Sequence, residues 1–256
     1  MGFDMARWGG RAMQAFTAGA EALWPSRSLV SSRRDIGQGA VSPEEWAQLT
    51  FLMGPVCDQC GSPQEIDLGP LAVCAACIAR PPKWTSARAA LAYDDASRRI
   101  VLDLKRAGRR DGLKTMAIWM TQAGQPLIER SDLMVPVPLH YRRLASRGFN
   151  QSGWLASAVA RRTGVPVRVD ILKRRKATPS QAGLSPKARH RNVAGAFSVR
   201  RGREGAVVGK SVLLVDDVLT TGATLTGCAR TLLKAGASRV DVLTLARVVR
   251  VRDASI

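Results

Sequence analysis

The stretch Ser211–Thr224, SVLLVDDVLTTGAT, decides how the rest of the chain is read. Four apolar residues, Val212 to Val215, run straight into Asp216 and Asp217 and then into threonines around one glycine. Adjacent like charges repel, and burying them is costly unless something compensates them. An apolar run, a polar turn and an alanine- and leucine-rich segment in succession read as strand, turn and helix. The carboxylates then stand at the carboxyl end of a strand, where open α/β sheets bind ligands. The turn opens the next helix, whose unpaired N–H groups and positive dipole end suit a phosphate. Gly222 permits close backbone approach, and Thr220, Thr221 and Thr224 add hydroxyl donors. Carboxylates one step before such a cradle suit a sugar phosphate, accepting from ribose hydroxyls beside donors for a 5′-phosphate. Mg²⁺ bridging nearby would offset the negative charge.

Working outward, DLMVPVP, VPVRVDIL, SVLLVDDV and RVDVLTLARVV read as strands. NQSGWLASAVARRTG and TLTGCARTLLKAGA read as helices that close at a glycine. Strands alternating with helices predict an α/β fold with a mostly parallel sheet flanked by helices. GAVVGKS, Gly205 to Ser211, resembles a phosphate-binding P-loop, but only three residues separate its glycines where four are needed. It also precedes a strand instead of following one, so Lys210 reads as a solvated residue.

Three regions follow: a tail over 1–50, a cysteine-bearing module over 51–84 that closes near Pro81 and Pro82, and the α/β domain over 85–256. In the tail, RWGGRAMQAFTAGAEALW can place Met13, Phe16, Ala20 and Leu23 on one helix face, a pattern that usually means packing. With 256 residues, 46% of them hydrophobic, the chain can bury a sizeable core. No apolar run approaches the roughly 20 residues of a membrane span. No apolar h-region with a small-residue cleavage site is seen, so the expectation is a cytoplasmic protein.

The net charge of +19 is unevenly placed: residues 161–210 hold 14 Lys or Arg against Asp170 and Glu204 alone. Such runs are usually solvated faces, but at this density nucleic acid or a phosphorylated metabolite becomes an expected ligand. Aromatic residues are 5% of the chain. Trp84, Tyr93, Trp119, Tyr141, Phe149 and Trp154 could stack on bases, though core positions are the commoner use.

Cys57 and Cys60 in CDQCGSP, and Cys74 and Cys77 in CAAC, form two Cys-x-x-Cys pairs separated by 13 residues. Each pair turns back so that both sulfurs reach one ion, which is the pattern of a structural four-thiolate zinc site with no open position for water. Cys228 reads as a small core residue.

The 13 residues VLLVDDVLTTGAT resemble the phosphoribosyl-pyrophosphate (PRPP) motif of type I phosphoribosyltransferases. With DLKRAGRRDGL, VPVPLHYRRLASRGFNQSGWLA and LKRRKATPSQAGLSPKARHRNVAGAF in the same order, residues 51–250 resemble the ComF family of competence-linked, phosphoribosyltransferase-like proteins. The resemblance implies a type I phosphoribosyltransferase fold carrying a small N-terminal zinc ribbon. It gives Asp216 and Asp217 the ribose hydroxyls, and Thr220, Thr221, Gly222, Ala223 and Thr224 the 5′-phosphate. The turn from Pro138 through Leu139 and His140 to Arg143 becomes the pyrophosphate loop, with Arg142 and Arg143 as charge partners. The segment Lys173–Asn192, including Arg174, Arg175, Lys176, Thr178 and Gln181, becomes a flexible loop over the site. Mg²⁺ with PRPP, single-stranded DNA, and a competence helicase or recombination mediator are the implied cofactor and partners.

ComF-like chains often carry another Cys-x-x-Cys ribbon ahead of this one. Here Ser28 and Ser31 have the spacing of one lost pair, and Ser42 and Glu45 of the other. Serine hydroxyls are poor zinc ligands, so this first ribbon is expected to lack metal. Two function classes stay open: a DNA-associated competence factor that binds PRPP or related phosphates, and an active transferase of phosphoribose to an unidentified nucleobase or amine.

Overall fold

The computed structural model describes residues 28–31, 41–67, 69–106, 110–175 and 195–249. The candidate helix near the N-terminus lies outside them, as do Lys176, Thr178 and Gln181. In chain order the elements begin with α1 (Pro43–Trp46), ahead of the cysteine module, and α2 (Ala75–Ala79) within it. Then come β1 (Ala87–Ala92), α3 (Asp95–Arg106), α4 (Leu113–Ile128), β2 (Leu133–Pro136), α5 (Tyr141–Arg147) and α6 (Gln151–Thr163). The chain continues through β3 (Leu172–Arg174), β4 (Phe197–Val199), β5 (Ser211–Leu219), α7 (Ala223–Lys234) and β6 (Arg239–Arg247).

Four strands pair in parallel in the order β1-β6-β5-β2, while β3 and β4 form a separate antiparallel pair. Parallel neighbours need crossover connections, which the helices supply. Because side chains alternate across a strand, Leu213, Val215, Leu243 and Leu245 face one way, into a core shared with Ile100, Met120 and Leu155. Val212, Leu214, Val240 and Val242 face the other way, into a core with Leu225, Leu232, Ile171 and Phe197. Both faces are covered, which is why the central strands are apolar at nearly every position. Fully burying a leucine such as Leu213 or Leu214 contributes roughly 2 kcal/mol.

The helices end where local chemistry ends them. Asn150 caps α6 by accepting from the Ser152 amide at 3.1 Å, and Gly164 closes it at φ 75°. Helix α7 likewise closes at a glycine: Gly236, at φ 97°, follows the C-cap Ala235, and the amides of Gly236 and Ala237 donate to the Leu233 and Leu232 carbonyls, each at 3.1 Å. VPVRVDIL is also shorter as a strand than its apolar residues suggest. Pro166 cannot donate to a ladder, and only Val167 makes a bridge, to Met134, before Leu172 turns into the β3–β4 pair. At the opposite edge, residues 50–52 run antiparallel to β1: the Leu52 amide donates to the Ala90 carbonyl at 3.0 Å and the Ala92 amide to the Thr50 carbonyl at 2.8 Å. Phe51 packs there between Trp46 and Trp119, with ring centroids 4.5 and 5.4 Å away. Among the described residues, no helix is long and apolar enough to cross a membrane.

Candidate functional site

The pleat of β5 separates the two aspartates. Asp217 follows the parity of Leu213 and Val215 to the α3 side, where Lys105 Nζ lies 2.7 Å from Asp217 Oδ2. Gln151 donates its side-chain amide to the same oxygen at 3.3 Å. Asp216 follows Val212 and Leu214, and its Oδ1 accepts from the Ser152 hydroxyl at 2.8 Å and the Asp217 amide at 2.9 Å. Gln151 and Ser152 are the first two residues of α6, so that helix presents its positive end to the carboxylates. Burial, reinforced by the charge of Asp217, raises the Asp216 carboxyl to about 7, against the opposing pull of Ser152 and Lys105. Burial, with Asp216 nearby, also pushes the Cys228 thiol well up, consistent with an inert core residue.

Beyond Leu219 the chain turns at Gly222, which adopts φ 72° and serves as N-cap of α7 with no side-chain cap hydrogen bond. Gly222 thus places the positive end of α7 directly after the threonine turn, the end of a helix that suits an anion. The Thr221 hydroxyl oxygen is buried without a hydrogen-bond partner among the described residues. Beside this turn lies a cleft of about 480 Å³ lined by Thr220, Gly222, Ala223 and Thr224. Its far wall holds Pro138 and Leu139, then Arg143 and Arg147 from α5, and Arg174 from the end of β3. Burial, with Arg143 second, lowers the pKa of Arg174, a setting that favours an anion between the two guanidinium groups.

Most site residues expected from sequence thus share one cleft, but Thr221, His140 and Arg142 are not among its lining residues. His140 is buried and caps α5, accepting from the Arg142 amide at 3.3 Å, and it is not among the cleft-lining residues. Arg142 points along the surface instead, its Nε 3.3 Å from the Tyr141 hydroxyl. Of the expected flexible segment, Lys173 and Arg174 belong to β3, and among its described residues only Arg174 lines the cleft. Tyr93, Lys105, Gln151 and Ser152 line it without having been singled out as ligands. The signal for Lys105, Gln151 and Ser152 lay in two of the quoted segments, DLKRAGRRDGL and VPVPLHYRRLASRGFNQSGWLA, but a lone Lys or Ser there reads equally as surface.

Outside the cleft mouth α5 has no buried residue, and Tyr141 is 63% exposed. Nearby, the Phe149 and Trp154 rings stack at 4.0 Å, and the Arg110 guanidinium lies 4.2 Å from the Trp154 ring centre.

In the module over 51–84, the ligand atoms of Cys57, Cys60, Cys74 and Cys77 all lie within 4.8 Å of one another. A tetrahedron of Zn–S bonds of about 2.3 Å has edges of about 3.8 Å, and Cys60 Sγ and Cys74 Sγ are 3.9 Å apart. The cluster can therefore hold a metal such as zinc. Its thiols cannot all ionise together unaided: the hydrogen bond with Cys57 raises Cys60 to about 11 and also raises Cys77, while Cys57 itself is lowered. A cation resolves that conflict.

Ser28, Ser31, Ser42 and Glu45 also meet at one point. The buried Glu45 carboxylate accepts from the Ser28 hydroxyl, from the Ser31 amide at 3.0 Å and from the Ser42 amide at 3.1 Å. The Ser42 hydroxyl in return accepts from the Glu45 amide at 3.2 Å, a capping box on α1. Burial works to raise the Glu45 carboxyl, but the hydrogen bonds from Ser28, Ser31 and Ser42 outweigh it and hold it below the ordinary glutamate value.

Comparison with known proteins agrees with this architecture. A family model described as a phosphoribosyl transferase domain matches residues 150–253. DNA utilization protein YhgH of Salmonella typhi is 34% identical over 200 residues, covering 75% of this chain and 84% of its own length. Competence protein F of Haemophilus influenzae is 39% identical over 116 residues, covering 45% of this chain and 50% of its own. Competence protein ComFC of Bacillus subtilis is 26% identical over 210 residues, covering 78% and 81%. With the parallel sheet, the Asp-Asp turn and the four-cysteine module, these similarities place the chain in the ComF family of phosphoribosyltransferase-like proteins.

Proposed function

We propose that the cleft binds phosphoribosyl pyrophosphate, or a closely related sugar phosphate, and that the chain works in the handling of single-stranded DNA during its uptake. One observation carries the first half. Two buried carboxylates line a single cleft together with Arg143, Arg147 and Arg174 and the N-terminal end of α7. Ribose hydroxyls donate to Asp216 and Asp217, the 5′-phosphate sits in the Thr220–Thr224 turn at the positive end of α7, and the pyrophosphate takes the arginines. Mg²⁺ would accompany the ligand, with Asp216 and Asp217 as the residues to hold it, and would offset the phosphate charge. Zinc in the four-thiolate cluster is structural. The names of the relatives, a DNA utilization protein and two competence proteins, support the second half. So do the net charge of +19 and the exposed basic helix α5. On this reading the protein acts in the cytoplasm, beside a competence helicase or a recombination mediator.

A transferase reading has its own support: a carboxyl raised to about 7 is suited to general-base work at neutral pH. Calorimetry with PRPP and Mg²⁺, run beside single-stranded DNA, tests both readings. Binding of each ligand without turnover of PRPP supports the competence factor. Pyrophosphate release with a nucleobase or amine present would establish the enzyme. No heat with PRPP would reject the cleft assignment.

A further inference from the structure

The turn that carries the phosphate donors rests on the cysteine module. Trp84, 7% exposed, closes that module and sets its ring beneath Gly222: a Cβ on that glycine would sit 2.7 Å from Trp84 Cη2. The same indole donates its Nε1–H at 2.7 Å to the carbonyl of Gln59, which lies inside the Cys57–Cys60 turn. One rigid ring therefore connects the first metal knuckle to the residue that turns β5 into α7.

Arg247 makes a second tie. It lies 5% exposed at the end of β6, in register with Leu219, and its guanidinium donates to the Cys60 carbonyl. The next amide, Val248, donates at 2.9 Å to the Leu219 carbonyl, directly ahead of the threonine turn. The knuckle itself is pressed against the sheet, since a Cβ on Gly61 would lie 2.8 Å from the Ala87 carbonyl oxygen. Two consecutive carbonyls of the knuckle, those of Gln59 and Cys60, thus accept from the two side chains that flank the phosphate turn.

A Cys-x-x-Cys turn keeps its carbonyls aimed while both sulfurs are pinned to one ion. Released, the four thiols no longer share a fixed centre, and the knuckle relaxes. Both carbonyl acceptors then move away from donors that are almost wholly buried, and such donors follow their acceptors or stay unsatisfied at a cost. Either outcome removes the floor under Gly222. We propose that Trp84 and Arg247 make the order of the Thr220–Thr224 turn depend on the metal state of the four cysteines, so that metal loss weakens phosphate binding in the cleft. The inference rests on the reading of that cleft as a phosphate site.

The test compares full-length zinc-loaded protein with chelator-stripped protein, using PRPP with Mg²⁺ as the probe and hydrogen exchange of the amides over 219–226 as an independent readout. Stripping should weaken PRPP binding by about tenfold or more and speed exchange in the turn, while α4 keeps its protection. In zinc-loaded protein Trp84→Phe, which removes both the N–H and the outer ring at Gly222, should reproduce these effects in part. Arg247→Gln should do the same through the second tie. Equal turn exchange in loaded and stripped protein would overturn the proposal, as would joint loosening of α4 and the turn. Variants indistinguishable from wild type would also overturn it. If PRPP fails to bind even the loaded protein, the cleft reading fails, while the exchange comparison still decides the link.

Discussion

Lys105 Nζ sits 2.7 Å from Asp217 Oδ2 across the floor of the cleft, joining α3 to the end of β5. Asp217 is nearly buried and Lys105 about a quarter exposed, with side-chain accessibilities of 7% and 25%. Removing the cation strands a carboxylate. Lys105→Met should therefore cost about 1–3 kcal/mol of unfolding free energy after allowance for solvent screening. Adding Asp217→Asn should recover part of that loss. A double-mutant cycle by urea denaturation checks it, and strictly additive losses would show that the pair is uncoupled.

Asp216 sets a pH dependence. With its carboxyl raised to about 7, the folded chain keeps a proton that the unfolded chain has released. The group's contribution to stability is whole below the ordinary aspartate value of about 3.9 and is lost as pH rises through about 7. Ligand binding runs the other way, because a carboxylate must shed that proton before it accepts from ribose. PRPP affinity should climb several-fold between about pH 6 and pH 8. Asp216→Asn should bind weakly and lose that part of the slope, leaving only the titration of the ligand's own phosphates.

The four-thiolate cluster should yield one zinc per chain by metal analysis. Serine at Cys57, Cys60, Cys74 or Cys77 should abolish binding and expose residues 51–80 to protease. Purified protein without zinc, with all four thiols open to a thiol probe, would contradict the assignment.

Glu45 acts as the hub of the serine cluster ahead of the cysteine module. Its carboxyl is held below the ordinary value, so its stabilising contribution is present above that value and disappears as pH falls through the folded one. Glu45→Gln should destabilise the protein by about 1–3 kcal/mol at neutral pH and flatten the acid limb of its stability curve. Because Ser28, Ser31, Ser42 and Glu45 already converge, replacing all four by cysteine should raise the zinc content to two per chain. A content of one would mean that this node is not laid out as a metal site.

DNA binding is expected to follow backbone charge. Affinity for single strands should fall with salt, with a log–log slope of about −0.7 per phosphate contacted. Arg142→Gln with Lys173→Gln and Arg175→Gln should shallow the slope. Tyr141→Ala, at an exposed ring, should cost about 1–3 kcal/mol if a base stacks there. Binding that ignores both changes would move the interface elsewhere.

The strand, turn and helix around Asp216 were legible because three signals coincide there: an apolar run, adjacent carboxylates, and a glycine that the turn requires. The cysteine cluster was legible because ligand spacing is nearly geometry already. The edge strand β1 was not, since ARAALA has helical composition, and only its pairing with β6 and residues 50–52 makes it extended. Lys105 and Ser152 were hidden for a different reason. Their roles depend on long-range placement by α3 and α6 against β5, which local pattern does not encode. The convergence of Ser28 with Glu45 could be read from spacing, whereas the use of the carboxylate itself as the hub could not.

The strip formed by residues 50–52 along β1 has a bearing on solubility. An open sheet ends in a row of unpaired amides and carbonyls, and such a row invites pairing with another chain. Here the Thr50 carbonyl and the Leu52 amide take up the outer hydrogen bonds of β1, and Phe51 seals the edge between Trp46 and Trp119. A chain cut back to begin at residue 85 would keep every strand of the parallel sheet and still lose that cover, so it should self-associate through β1 where the full protein does not.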